Sequence, residues 1–113
     1  MTILHCVWEH NGGDTLLYAA DAEFFGVYAR GTSREEALQK ISRDAAAYCR
    51  WRDVPVPGGF TVEVVQEQES TLQICDADSD VLFDTERPPL TFVEYAALRD
   101  RTLRSARDFL ALY

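Results

Sequence analysis

Between Gly31 and Ser33 the spacing of apolar residues changes from strand-like to helical, and that switch constrains the fold more than any other feature. Before it the chain reads in short strands. Residues 2–10 carry the β-formers Ile3, Val7 and Trp8, and Asn11-Gly12-Gly13-Asp14 supplies the positive φ angles of a tight hairpin. A second strand is predicted over 15–20, a turn through Asp21-Ala22-Glu23-Phe24, and a third strand over 25–30. After it the chain reads as a helix. Ser33-Arg34-Glu35-Glu36 is a capping box, in which the hydroxyl accepts from a free backbone N–H while Glu36 reaches back. Ala37, Leu38, Ile41, Ala45, Tyr48 and Cys49 then recur at helical spacing as far as Arg52, one face suited to cover a sheet.

Pro55, Pro57, Gly58 and Gly59 end that helix. A fourth strand follows over 60–66, with Phe60, Val62 and Val64 on one side and Thr61 and Glu63 on the other. Over 68–90 the apolar residues Leu72, Ile74, Val81, Leu82 and Phe83 are interrupted by Asp76, Asp78, Asp80 and Asp84, and Arg87-Pro88-Pro89-Leu90 reads as a stiff connector. A second capping box, Thr91-Phe92-Val93-Glu94, opens a helix with the stripe Phe92, Tyr95, Ala96, Leu103, Ala106, Phe109, Leu110 and Tyr113. The expected fold class is α+β. An antiparallel sheet of three or four strands carries one helix on a face (order βββαβ), and a C-terminal helix follows. The expected organisation is an α+β domain over 1–67, an acidic, Pro-containing connector over 68–90, and an amphipathic helix over 91–113, docked or opening a further helical domain. A sheet covered on one face leaves its other face and an edge for contacts between copies, so a homodimer is expected.

At 113 residues the chain has room for one hydrophobic core. A formal charge of −8 and a single lysine, Lys40, argue against a protein that holds phosphate backbones and suggest solubility or a basic protein partner. No stretch reaches the roughly 18 apolar residues of a membrane span. The start, Met1-Thr2-Ile3-Leu4-His5, lacks the pattern of a signal peptide. Cys6, Cys49 and Cys75 are odd in number and widely spaced, which is no disulfide framework, so the expected location is the cytoplasm.

Chemistry finds little support. His5 and His10 fall on opposite faces of one strand, as do His5 and Cys6, whereas Cys6 and His10 share a face but lie roughly 13 Å apart. Asp76-Ala77-Asp78-Ser79-Asp80 imitates the opening of a calcium loop, but Val81 and Arg87 stand where that loop needs Gly and Glu. Ser33 is used in a cap, and neither histidine has a motif partner, so no nucleophile with its base is expected. No catalytic, cofactor or metal residue is therefore assigned. Phe24-Phe25 is the candidate partner contact, because two consecutive large aromatics at a turn are rarely both buried.

The pieces Gly12-Gly13, Gly26 and Gly31-Thr32-Ser33-Arg34-Glu35-Glu36-Ala37-Leu38 give residues 3–52 a pattern that resembles the HicB antitoxin family. Phe25 and Val27 flank Gly26 where that family usually has Pro and Cys. The resemblance implies a non-catalytic domain for binding or oligomerisation, and a homodimer. Residues 90–113 are similar to the first helix of DinB-like four-helix bundles, which implies the leading part of a longer protein. Those bundles commonly bind metal through three histidines on later helices, and no such residue falls here. The alternative implied is an antitoxin-like protein masking a small basic HicA-type RNase toxin. The acidic balance suits that role, and the absence of the family's usual DNA-binding element counts against it.

Overall fold

A computed structural model describes residues 2–74 and 79–113. The elements are β1 (Thr2–His10), β2 (Thr15–Ala19), a 3-10 turn at Ala22–Phe24, β3 (Tyr28–Gly31), α1 (Arg34–Trp51), β4 (Phe60–Glu69) and α2 (Phe92–Leu110). They form the expected α+β arrangement, a four-stranded sheet in the order β3-β2-β1-β4 with α1 across one face. Asn11 makes the first turn, its Oδ1 accepting from the N–H groups of Gly13 and Asp14 (3.0 and 2.8 Å) while Gly12 adopts φ +88°.

One expectation fails in direction. The sheet is mixed, because β4 runs parallel to β1, Thr2 lying beside Phe60 and His10 beside Glu69. The cause is α1. At 1.5 Å per residue its 18 residues return the chain about 27 Å, the full length of the sheet, so β4 starts at the same end as β1.

Both helix starts behave as capping chemistry requires. Ser33 Oγ accepts from Glu36 N–H, but the Glu36 carboxylate binds the Thr32 N–H and hydroxyl (both 3.1 Å), one residue earlier than expected. Thr91 and Glu94 make the full reciprocal box. At the far end of α1, Asp53 takes φ +57°, with Asp53 N–H bonded to Arg50 O and Val54 N–H to Cys49 O. This is a Schellman closure, made without glycine.

Ala37, Ile41, Ala45 and Cys49 of α1 lie on Leu4, Cys6, Leu17, Ala19 and Ala29 of the sheet, and all are buried. Small residues on the helix let its backbone approach the strands closely. The opposite face of the sheet is not free, against expectation. Val7, Leu16 and Glu9 point there and are fully buried, as is Ile74. The segment after β4 covers them: Phe83 rests on Tyr18 (centroids 5.4 Å), Gln66 bonds the backbone of Leu82 and Asp84, and Ser79 Oγ donates to Glu9 (2.7 Å). In place of a free connector, Ile74 and residues 79–84 thus form a covering layer.

Lys40 Nζ lies 2.8 Å from Glu36 Oε1, and with the Thr32 donors it holds the Glu36 carboxyl down at about 2 from its ordinary 4.5. A depressed carboxylate contributes stability above its unfolded pKa, and the contribution is lost as pH falls through the folded value. Glu36→Gln should therefore flatten the decline in stability between pH 4.5 and 2, measured as urea midpoints across that window.

Candidate functional site

The titratable groups singled out in the sequence stay apart. His5 Nδ1 pairs with Asp21 (3.0 Å), which also accepts from the His5 N–H, and this ties β1 to the turn after β2. His10 Nε2 meets Glu67 at 2.8 Å on the other face. Cys6 is fully buried, and burial, with Asp21 as a smaller cause, pushes its thiol up to about 12, so it is no nucleophile. Among the described residues no three His, Cys, Asp or Glu side chains converge as a metal site would require. Cys75, Asp76 and Asp78 lie outside the described residues. Asp80 accepts from Gln68 at 2.9 Å.

Phe24 and Phe25 divide as adjacent aromatics at a turn must. Phe24 is 4% exposed and packs edge-on against Phe60. Phe25 is 51% exposed, so of the pair only Phe25 is accessible to a partner. It lines two hollows of about 300 and 450 Å³, each shared with Leu98 of α2.

The arrangement of α2 is what sequence reasoning missed. An amphipathic helix is expected to turn its apolar stripe inward, but α2 docks by its polar side. Arg101 donates to the backbone oxygen of Ala22 (2.6 Å), and Arg104 reaches Asp53 (3.3 Å) while stacking over the Trp51 ring (4.8 Å). Trp51 Nε1 donates to Asp108 Oδ2 at 2.6 Å. No residue of α2 is buried. At 100° per residue, Leu98, Arg101, Arg104 and Asp108 centre on one side, and Phe92, Ala96, Leu103, Ala106 and Leu110 on the opposite side. The stripe therefore points outward: Phe92 is 83% exposed, Leu103 50% and Leu110 71%, and Tyr95, Phe109 and Tyr113 to the side of it are 51%, 60% and 93% exposed. At about 200 Å² per aromatic side chain, the four aromatic residues alone present roughly 600 Å² of apolar-rich surface to solvent.

Apolar surface of this extent is at the upper end of what an ordinary monomer exposes, and patches of that size are often functional. The sequence signal for it was present in the balance of residues 91–113, whose four arginines face only Glu94, Asp100 and Asp108 in a chain of net charge −8. Trp51 and Asp53, at the end of α1, receive Arg104 and had no signature of their own. No helix of the described chain is long and apolar enough to cross a membrane, so the stripe is not a spanning segment. The chain finds no match among protein-family models, curated proteins or solved structures.

Proposed function

We propose that the chain is a non-catalytic protein-association module whose working surface is the apolar stripe of α2, with the sheet and α1 as its rigid base. The observation that carries this is the outward stripe on a helix anchored by its opposite, arginine-rich side. The strand–hairpin–strand–turn–strand–helix order over 3–52 supports reading the base as HicB-like. A cytoplasmic setting fits Cys6 and Cys49, both free thiols.

Leu103→Glu with Leu110→Glu tests it. Both residues are exposed on the single chain, so in dilute solution, where single copies prevail, the thermal midpoint should hold within a few degrees while binding of an apolar dye falls severalfold. A large drop in the midpoint would make the stripe part of the fold and end this reading. A second reading, masking of a basic protein, is favoured by the exposed Glu63, Glu67 and Glu69 along β4. It expects a salt-sensitive complex with a small basic protein that survives Leu103→Glu and is lost when those three glutamates become glutamine.

A further inference from the structure

We infer that the occupant of the α2 stripe is the same helix of a second copy, running antiparallel about a two-fold axis that passes between Leu103 and Ala106. This rests on the reading of α2 as the working surface and names its partner.

Size and shape are the first argument. Leu103, Phe109, Leu110 and Tyr113 are each half or more exposed on a single chain, and they lie in the stretch that two antiparallel copies of the helix share, so pairing removes all of them from water on both chains. The anchored side of α2 lies opposite the stripe, so pairing two stripes places both domains outside, clear of each other. Ala96, Arg99, Leu103, Ala106, Leu110 and Tyr113 follow one another at alternating steps of three and four. That is the 3.5-residue period of a helix-to-helix seam.

Charge selects the partner. Two copies of a chain with net charge −8 repel over most of their surfaces, and the near balance of charges on α2 makes this face an exception. The sheet edges are blunted against pairing. β3 is four residues long with Lys40 Nζ on the carbonyl of Arg30 (2.9 Å), and β4 is bulged and lined with Glu63 and Glu67.

Orientation and register follow from three residues. In a parallel pair Arg99 would meet its own copy in one layer of the seam. In the antiparallel pair the two Arg99 positions stand about 16 Å apart along the axis at 1.5 Å per residue. The register that sets Leu103 against the partner's Ala106 matches large with small twice over, and it brings Asp100 opposite the partner's Arg107, also twice. The neighbouring register, one heptad away, would set Asp100 against Asp100.

Sedimentation equilibrium on the full chain tests this. The mass should rise from 12.8 kDa toward twice that value with concentration. Asp100→Arg should weaken the dimer about tenfold, since two attractive pairs become repulsive, and Asp100→Arg with Arg107→Asp should restore it. A wild-type chain that stays monomeric at every concentration would overturn the second copy as occupant. Failure of the double exchange to restore association would overturn the antiparallel register. Either result is distinct from failure of the stripe as a surface, which the dye and thermal measurements on Leu103→Glu with Leu110→Glu report separately.

Discussion

Shortening Ile74 to alanine is expected to lower the unfolding free energy by about 3 kcal/mol, as much as shortening Ile41 at the centre of α1. Both side chains are fully buried. The equality is informative because the two residues sit in different layers. Ile41 lies under α1 against Leu4 and Leu17, in the part of the core that helical spacing announces. Ile74 belongs to the covering segment, beside a stretch rich in aspartate. That segment closes the face on which Val7 and Leu16 are buried, and it holds Glu9, whose Oε2 has no partner among the described residues. Opening this layer would expose Val7 and Leu16, and it would remove Ser79 from Glu9, so a cavity there is not cheaply relaxed. Chemical denaturation of the two variants with a common m-value checks the prediction. A loss under about 0.5 kcal/mol for Ile74→Ala would mean that residues 70–74 and 79–86 lie on the sheet without stabilising it.

In the dilute monomer, amides of α2 should exchange with solvent at least about a thousandfold faster than those of α1, after correction for intrinsic rates. Four buried residues fix α1 to the sheet, so its hydrogen bonds open only with the whole domain. No buried residue fixes α2; its anchors are exposed hydrogen bonds and ion pairs around Arg101, Arg104 and Asp108, each worth at most about 1 kcal/mol. A 19-residue helix without a packed face is marginal on its own in water. Raising the concentration should slow exchange in α2 alone if a second copy covers it. Uniform protection of both helices in the monomer would mean that α2 is part of the cooperative unit.

The parts of this fold that depend on neighbours in sequence were legible from it. Asn11 and Gly12 announced the hairpin, Ser33 and Thr91 announced the helices, and the spacing of Ala37, Ile41 and Ala45 announced the covered face. Relations between distant segments were less legible. The parallel pairing of β4 follows from the return length of α1, a property of the helix and not of the strand. The burial of Ile74 was hidden by the run of aspartates that follows it, Asp76, Asp78, Asp80 and Asp84. The outward stripe of α2 was hidden because apolar spacing records only that a face exists. Trp51, Asp53 and the carbonyl of Ala22, far away in sequence, decide which way it turns.

The break in register between Cys6 and Val7 gives β4 a divided role. Its residues alternate between partly buried and exposed without interruption from Phe60 to Glu69, yet the extra residue near Val65 reverses what the alternation means. Val62 and Val64 serve the layer under α1, while Gln66 and Gln68, opposite Val7 and Glu9, serve the layer beneath residues 79–84. Point changes at the half-exposed Val65 are therefore cheap. An unbulged strand carrying all ten residues would turn both glutamines toward α1 and strand the opposite layer without its clasps. One residue set outside the ladder lets a single strand change sides and serve two layers.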